Sequence, residues 1–180
     1  MKKYDITCIG YDELYGEEQK EKHIETLLYI KPIKDKLIVD VGCGTGLMEE
    51  HLLEAKIVIG IDISMGMLKN AKRRFQGNPK FFWIHADAEN IPIKSKSSDT
   101  VLMITVVQNL PDPIKALKEL EDIVKVDGEI IVTFPKSHYT INDVLKIITK
   151  FENLKLVEIN NARTKDTIAK FKRNIKEKAI

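Results

Sequence analysis

Apolar residues fall along this chain in two rhythms. From Leu37 onward they come as short unbroken runs, at residues 37–41, 57–61, 81–84, 101–107 and 130–134. Continuous rather than alternating apolarity predicts strands covered on both faces, as in a parallel sheet. Between the runs the spacing changes to helical, with Leu47, Met48, His51, Leu52 and Ala55 on one stripe and Ile114, Leu117, Leu120 and Val124 on another. Pro113 and Gly128 are the start and stop signals expected for the second of these helices. Ahead of the first strand, residues 17–30 carry Ile24, Leu27, Leu28 and Tyr29, which predicts a helix leading toward Pro32.

Alternating strand and helix demands right-handed crossovers, so the expected fold is α/β with a doubly wound, mostly parallel sheet. The chain ends differently. Residues 154–159 and 167–171 both read as strands, separated by the polar stretch 160–166 rather than by a helix, which predicts a C-terminal antiparallel hairpin. No repeat, low-complexity tract or proline-rich linker divides the 180 residues, so one domain is expected, with residues 1–35 as an N-terminal helical cap and 36–180 as the core.

Composition narrows the setting. A charged fraction of 31% and the lack of an apolar stretch of about 18 residues exclude a membrane span. Asp5, Asp12 and Glu13 interrupt the start, so no secretory signal is expected, and a cytoplasmic protein is. Of the two cysteines, Cys43 lies inside a glycine loop where a disulfide would block whatever the loop holds, which fits a reducing compartment. His23, His51, His85 and His138 are scattered without zinc-site spacing, so no metal is expected, and His51, His85 and His138 read as structural. A net charge of +2 does not imply nucleic acid by itself; the basic clusters at Lys69, Lys72, Arg73 and Arg74 and at Lys170, Lys172, Arg173, Lys176 and Lys178 are the two places where such charge concentrates.

The strongest chemical signal is Leu37-Ile38-Val39-Asp40-Val41-Gly42-Cys43-Gly44-Thr45-Gly46, a buried strand breaking into three alternating glycines before an expected helix. Glycines there let the backbone turn sharply and approach a ligand. A dinucleotide site uses GxGxxG, whereas this loop is GxGxG preceded by an acid. Asp62 ends the second strand, where a carboxylate can accept from both hydroxyls of a ribose, and Asp87 follows the third. Three acids at one sheet edge suit an amine, a ribose diol and an adenine but repel a diphosphate. That pattern argues for S-adenosylmethionine and against NAD.

Taken in order, VDVGCGTG, GIDIS with MLKNAKRR, HADAENIP, SDTVLMITVVQNLPDP and DGEIIVTFP resemble the motifs of class I S-adenosylmethionine-dependent methyltransferases, of the type 11 group that includes quinone-biosynthesis enzymes. The resemblance runs from about Lys36 to Pro135 and continues into the hairpin. It implies a Rossmann-like sheet of seven strands with S-adenosyl-L-methionine as cofactor. It also implies that Gly42, Cys43, Gly44 and Gly46 line the methionine and ribose, with Asp40 near the amino group. Asp62 would hold the ribose hydroxyls, Ile63 and Met67 would pack on adenine or ribose, and Asp87 with Ala88 would read the adenine edge. Thr105 to Gln108 would border the transferred methyl.

Methyl transfer from a sulfonium requires alignment and exclusion of water more than a dedicated base, and no catalytic dyad is legible. Gln108 and Asn109, with Tyr11 and Tyr15 ahead of the first helix, are the expected substrate-side residues. Where methyltransferases acting on exocyclic nitrogens carry an Asn-Pro-Pro-Tyr type motif, this chain reads Val107-Gln108-Asn109-Leu110-Pro111, which argues against that substrate class. The implied partners are an unidentified methyl acceptor (small molecule, RNA or protein) and a small activator protein adding a strand at Phe81-Phe82-Trp83-Ile84, an apolar edge in this fold. Two other functions set against this one are a non-catalytic subunit on the same fold, binding RNA or protein, and an NAD(P)-dependent oxidoreductase, which lacks both its glycine fingerprint and a Tyr-Lys or His pair.

Overall fold

The computed structural model describes residues 11–30, 32–151, 153–160 and 165–173, except for the side chains of Tyr11, Tyr15 and Glu18. Cys8, Lys176 and Lys178 lie outside the described residues. In chain order the elements are α1 (Tyr11–Ile30), β1 (Leu37–Val41), a 3-10 turn (Met48–His51), β2 (Ile57–Asp62), α2 (Met65–Arg74), β3 (Phe81–His85) and β4 (Ser98–Met103). A second 3-10 turn (Val107–Asn109), α3 (Pro113–Ile123), β5 (Val124–Pro135), α4 (Ile141–Ile148), β6 (Leu154–Asn160) and β7 (Asp166–Arg173) follow.

The seven strands form one sheet in the order β3-β2-β1-β4-β5-β7-β6. The first five pair in parallel, and β7 inserts antiparallel between β5 and β6. Buried residues collect on both faces. Val39, Val41, Val101 and Met103 join α3 on one side, while Ile38, Val58 and Leu102 join α1 and the segment after β1 on the other. This two-sided burial is why the strand runs are continuously apolar. Strand order reverses between β1 and β4, opening a crevice over the carboxyl ends of the strands. No helix among the described residues is long and apolar enough to cross a membrane.

Several expectations are corrected. The stripe from Leu47 to Ala55 forms only a 3-10 turn, closed by Leu52 N donating to Glu49 O (3.0 Å) and Ala55 N to Leu52 O (3.0 Å). Lys56 N already bonds Lys36 O (2.9 Å) to start β2, so too few residues remain for an α-helix, although Met48, Leu52 and Ala55 are still buried. The fourth strand ends at Met103 rather than Val107, because Thr105 adopts φ +59 and breaks the extended backbone. Pro113 does open α3 behind the Asp112 cap, but the helix ends at Ile123 and Gly128 lies inside β5, where the β4 register shifts. Helix α1 starts at Tyr11, and Ile24 and Leu28 on its expected apolar stripe are exposed. Helix α4, closed by a Thr140–Asp143 capping box, was not expected, though its Thr-x-x-Asp spacing is visible in the sequence.

Candidate functional site

The glycine loop is positioned by the strand beneath it. Gly42 N and Cys43 N donate to Ile61 O (2.7 and 3.1 Å), so the chain leaving β1 turns across the end of β2. Gly42 sits at φ +80, and a Cβ there would come within 2.2 Å of Val106 Cγ2. Both the conformation and the close approach require glycine. Gly44, at φ +57, has open space where a Cβ would stand. Gly46 differs: its missing Cβ faces Ala71 and Phe75 at 3.2 Å, so it lets α2 pack against the loop and does not line the cavity expected to hold a ligand.

Asp62 ties the loop to the start of α2. Its Oδ2 accepts from Gly44 N (2.9 Å) and its Oδ1 from Ser64 N (2.8 Å), while Ser64 Oγ caps α2 by accepting from Met67 N. Each carboxylate oxygen spends one lone pair on an amide and keeps another for a ligand. These residues open on a cavity of about 490 Å³. Asp40, Gly42, Cys43, Gly44, Asp62, Ile63, Met67, Asp87, Ala88 and Thr105 all line it, as do Gln108 and Asn109. That volume suits a nucleoside-sized ligand.

The electrostatics beneath the loop are unusual. Asp40 is 2% exposed, and burial, then the Asp62 carboxylate, pushes its carboxyl up to about 7. Glu49 is fully buried with no hydrogen-bond partner on either oxygen; burial and Asp40 push it well above the carboxylate range. Asp62 is raised by burial against the lowering effect of its amide bonds. Burial, followed by Glu49, Asp62 and Asp40, also raises the Cys43 thiol. A cationic ligand would favour the ionised forms of these acids, whereas a diphosphate would oppose them further.

Helix α1 closes the far side. Its Gln19, Lys22 and His23, spaced to share one helical face, line the same cavity. Lys22 Nζ pairs with Asp166 Oδ1 of β7 at 3.1 Å, their side chains 6% and 1% exposed. Asp166 Oδ2 accepts from Thr133 Oγ1 (3.0 Å) and Thr105 Oγ1 (3.2 Å), and Thr133 Oγ1 accepts from Thr105 N (2.8 Å). This network holds Thr105 in its left-handed conformation. At the start of α1, Asp12 accepts from Thr45 Oγ1 (2.6 Å) and meets Arg74, which also bonds Glu50.

Sequence reasoning missed Gln19, Lys22, His23, Glu49 and Asp166. The available signal was α1 itself, whose buried Gln19, Lys22, His23 and Thr26 are polar while Leu14, Ile24 and Leu28 face outward. His23, to which the sequence assigned no role, lines the cavity beside His51, ring centroids 6.2 Å apart. Burial, then His51 and Lys22, lowers its imidazole to about 4. His85 Nε2 bonds the Ile63 carbonyl (2.9 Å) and His138 Nδ1 bonds Ser137 Oγ (2.9 Å), each away from the cavity wall. Gln108 Nε2 donates to Thr105 O (2.8 Å), leaving a buried Oε1 without a partner. The side chains of Tyr11 and Tyr15 lie outside the described residues. In the basic clusters, Arg74 is paired as above, Lys170 pairs with Glu129 (2.9 Å), and Arg173 donates to the carbonyls closing α3.

At the sheet edge, Phe81 stacks on Phe75, the residue closing α2, and Trp83 meets the same ring at a tilt, whereas Phe82 is 50% exposed on a strand that, among the described residues, pairs only with β2.

Comparison with known proteins agrees with this geometry. An uncharacterised protein of Methanocaldococcus jannaschii is 34% identical over 168 residues, covering 93% of this chain and 63% of its own length. The ubiquinone/menaquinone biosynthesis C-methyltransferase of Campylobacter jejuni is 36% identical over 116 residues, covering 58% of this chain and 46% of that protein. The chain thus spans roughly half to just under two thirds of these relatives. Among solved structures, the complex of the Haloferax volcanii Trm112 methyltransferase activator with a methyltransferase is similar at TM-score 0.80 and 14% identity, covering 92% of this chain and 93% of that one. The methyltransferase domain family matches residues 39–132, more than half of the sequence. With that match lying over the glycine loop and its carboxylates, the chain belongs to the class I S-adenosylmethionine-dependent methyltransferases.

Proposed function

We propose that this chain binds S-adenosyl-L-methionine in the cavity over β1 and β2 and transfers its methyl group to an acceptor. The observation that carries the proposal is the Asp62 carboxylate, fixed by the Gly44 and Ser64 amides and flanked by buried Asp40. Asp62 accepts from the ribose hydroxyls, and Asp87 with Ala88 borders the adenine. Ile63 and Met67 supply apolar contact, while Gly42, Cys43 and Gly44 give bare backbone beneath the amino-acid end. Asp40 and buried Glu49 favour its positive charge. The cofactor, when bound, supplies an electrophilic methyl on a sulfonium; the chain's residues align the acceptor and exclude water.

A quinone-type acceptor is one reading of the kinship with the Campylobacter jejuni enzyme, and RNA and protein acceptors remain in the same test. The half-exposed Phe82, on a strand whose outer edge has no partner among the described residues, supports a small activator protein docking along β3, and the similar Haloferax volcanii methyltransferase is itself in complex with the Trm112 activator. Residues 1–180 are read as one unit of a cytoplasmic enzyme, in keeping with the buried free thiol of Cys43.

Calorimetry tests the proposal. S-adenosylmethionine and S-adenosylhomocysteine are expected to bind and NADH not to, and Asp62→Ala to weaken binding by about 2 kcal/mol or more. Unchanged affinity in that variant, or binding of NADH, removes the proposal. A labelled-methyl transfer assay on fractionated lysate then identifies the acceptor class.

A further inference from the structure

Ahead of its apolar end at Tyr29 and Ile30, which joins the core, helix α1 turns polar residues inward. Gln19, Lys22 and His23 face the cavity, and Thr26 continues the same face at 0% exposure. The apolar Leu14 and Leu28 point to solvent at 72% and 62%. Burying polar groups costs stability unless something meets them, so such a face is expected where a ligand is handled.

The cavity has two ends. Asp62, Ile63, Asp87 and Ala88 mark the end over β2 and β3, which the proposed function gives to the nucleoside. The other end lies under α1, where Lys22 reaches Asp166 of β7 and Thr105 is held nearby. His23 stands in this second region, 6% exposed, its ring against His51. Its Nδ1 is enclosed without a hydrogen-bond partner, which leaves Nε2 as the ring nitrogen able to meet a ligand. Gln108, which also lines the cavity, has its amide nitrogen committed to Thr105 O and a buried amide oxygen without a partner.

We infer that the α1 face and Gln108 form the acceptor half of the cavity, and that His23 is a catalytic residue whose Nε2 receives the proton of a protic methyl acceptor. This rests on the cofactor reading above. In the step, the acceptor's heteroatom forms a bond to the methyl carbon while the carbon–sulfur bond breaks with its electron pair moving to sulfur. The heteroatom's proton passes to His23 Nε2 and from there to solvent. A neutral imidazole serves this role, because the heteroatom becomes acidic as it gains the methyl and a strong base is not needed. Gln108 Oε1 orients the same X–H group by accepting from it before transfer.

The test needs no knowledge of the acceptor. Sinefungin replaces the methylated sulfur with a carbon bearing a primary amine, so its ammonium stands where the methyl would be. Titration calorimetry of the full chain with sinefungin and with S-adenosylhomocysteine gives an affinity ratio for the native protein, for His23→Ala and for Lys20→Ala on the exposed face of α1. The ratio is expected to favour sinefungin in the native protein and in Lys20→Ala, and to fall about tenfold in His23→Ala, the loss of one charge-assisted hydrogen bond. Affinity for S-adenosylhomocysteine should stay within about twofold, which also reports that the variant is folded. A ratio unchanged in His23→Ala overturns the assignment of His23 while leaving the cofactor reading intact. Failure of the native protein to bind either compound overturns both. Should His23→Ala not fold, imidazole nitrogen shifts of the native protein decide: sinefungin, but not S-adenosylhomocysteine, must move the His23 Nε2 resonance, and no movement refutes the inference.

Discussion

The glycine-loop wall of the cavity is fixed by backbone, through the Gly42 and Cys43 amides on Ile61 and the Gly44 and Ser64 amides on Asp62, whereas the α1 wall is held by side chains, Lys22 on Asp166 and Thr45 on Asp12. Backbone bonds anchored in a parallel sheet leave one geometry, suited to a ligand that never changes. Side-chain pairs can be exchanged without disturbing the sheet, so the wall they build is the one able to vary with the acceptor. The same division places the strictly required glycine on one side of the cavity and the buried ionic pair on the other.

Breaking the α1 wall should have the largest effect on stability. Asp166→Ala leaves Lys22 buried without its carboxylate and removes the acceptor of Thr133 and Thr105. A loss of about 3–5 kcal/mol is expected in denaturant unfolding, typical of a buried pair deprived of one partner. A loss below about 1 kcal/mol would mean that water already screens the pair.

Gly42→Ala breaks the opposite wall. The left-handed backbone and the collision with Val106 together predict about 3 kcal/mol of destabilisation, against about 1 kcal/mol for Gly44→Ala, where the space is open. Equal losses in the two unfolding curves would contradict the close approach at Gly42.

The seam between the walls is weaker. Thr45→Ala removes the hydrogen bond to Asp12 and should cost about 1 kcal/mol, with faster amide exchange in the first turns of α1 and unchanged exchange in β1. Faster exchange in both would show that loop and helix open as one unit.

A different kind of effect is expected on the shape of the pH profile. Asp40 titrates at about 7 in the fold against 3.8 unfolded, so the native state holds the extra proton and Asp40 subtracts from stability progressively as pH rises from about 4 to about 7. His23, lowered from 6.5 to about 4, acts in the opposite sense: its contribution is present above 6.5 and is lost as pH falls toward 4. Asp40→Asn should therefore gain stability relative to the native protein across pH 4 to 7 and run parallel to it above. Parallel profiles throughout would show that Asp40 titrates alike in the folded and the unfolded chain.

Much of the loop wall was legible because its signals are local. An apolar pentapeptide ending in Asp40-Val41-Gly42 specifies a buried strand and a turn, and Asp62 at the next strand end follows by the same rule. Helix α1 was legible only as a helix. Its apolar residues suggested a stripe through Ile24, Leu27, Leu28 and Tyr29; Tyr29 is buried and Leu27 packs on the core, whereas Ile24 and Leu28 face solvent and the inward face carries Lys22, paired with Asp166, 144 positions away in a 180-residue chain. The expected α-helix after the loop failed for a reason of length, since β2 begins too soon for it.

The sequence by itself determined the alternation of strand and helix, the parallel sheet, the terminal hairpin and the carboxylates at the strand ends, since each depends on neighbours a few residues apart. Tertiary packing alone settled which face of α1 turns inward, that Gly46 serves α2 rather than the cavity, that Gln19, Lys22 and His23 line that cavity, and that Asp166 lies against Lys22. Those outcomes depend on burial and charge among segments distant along the chain, and such energies exist only once the sheet has brought the segments together.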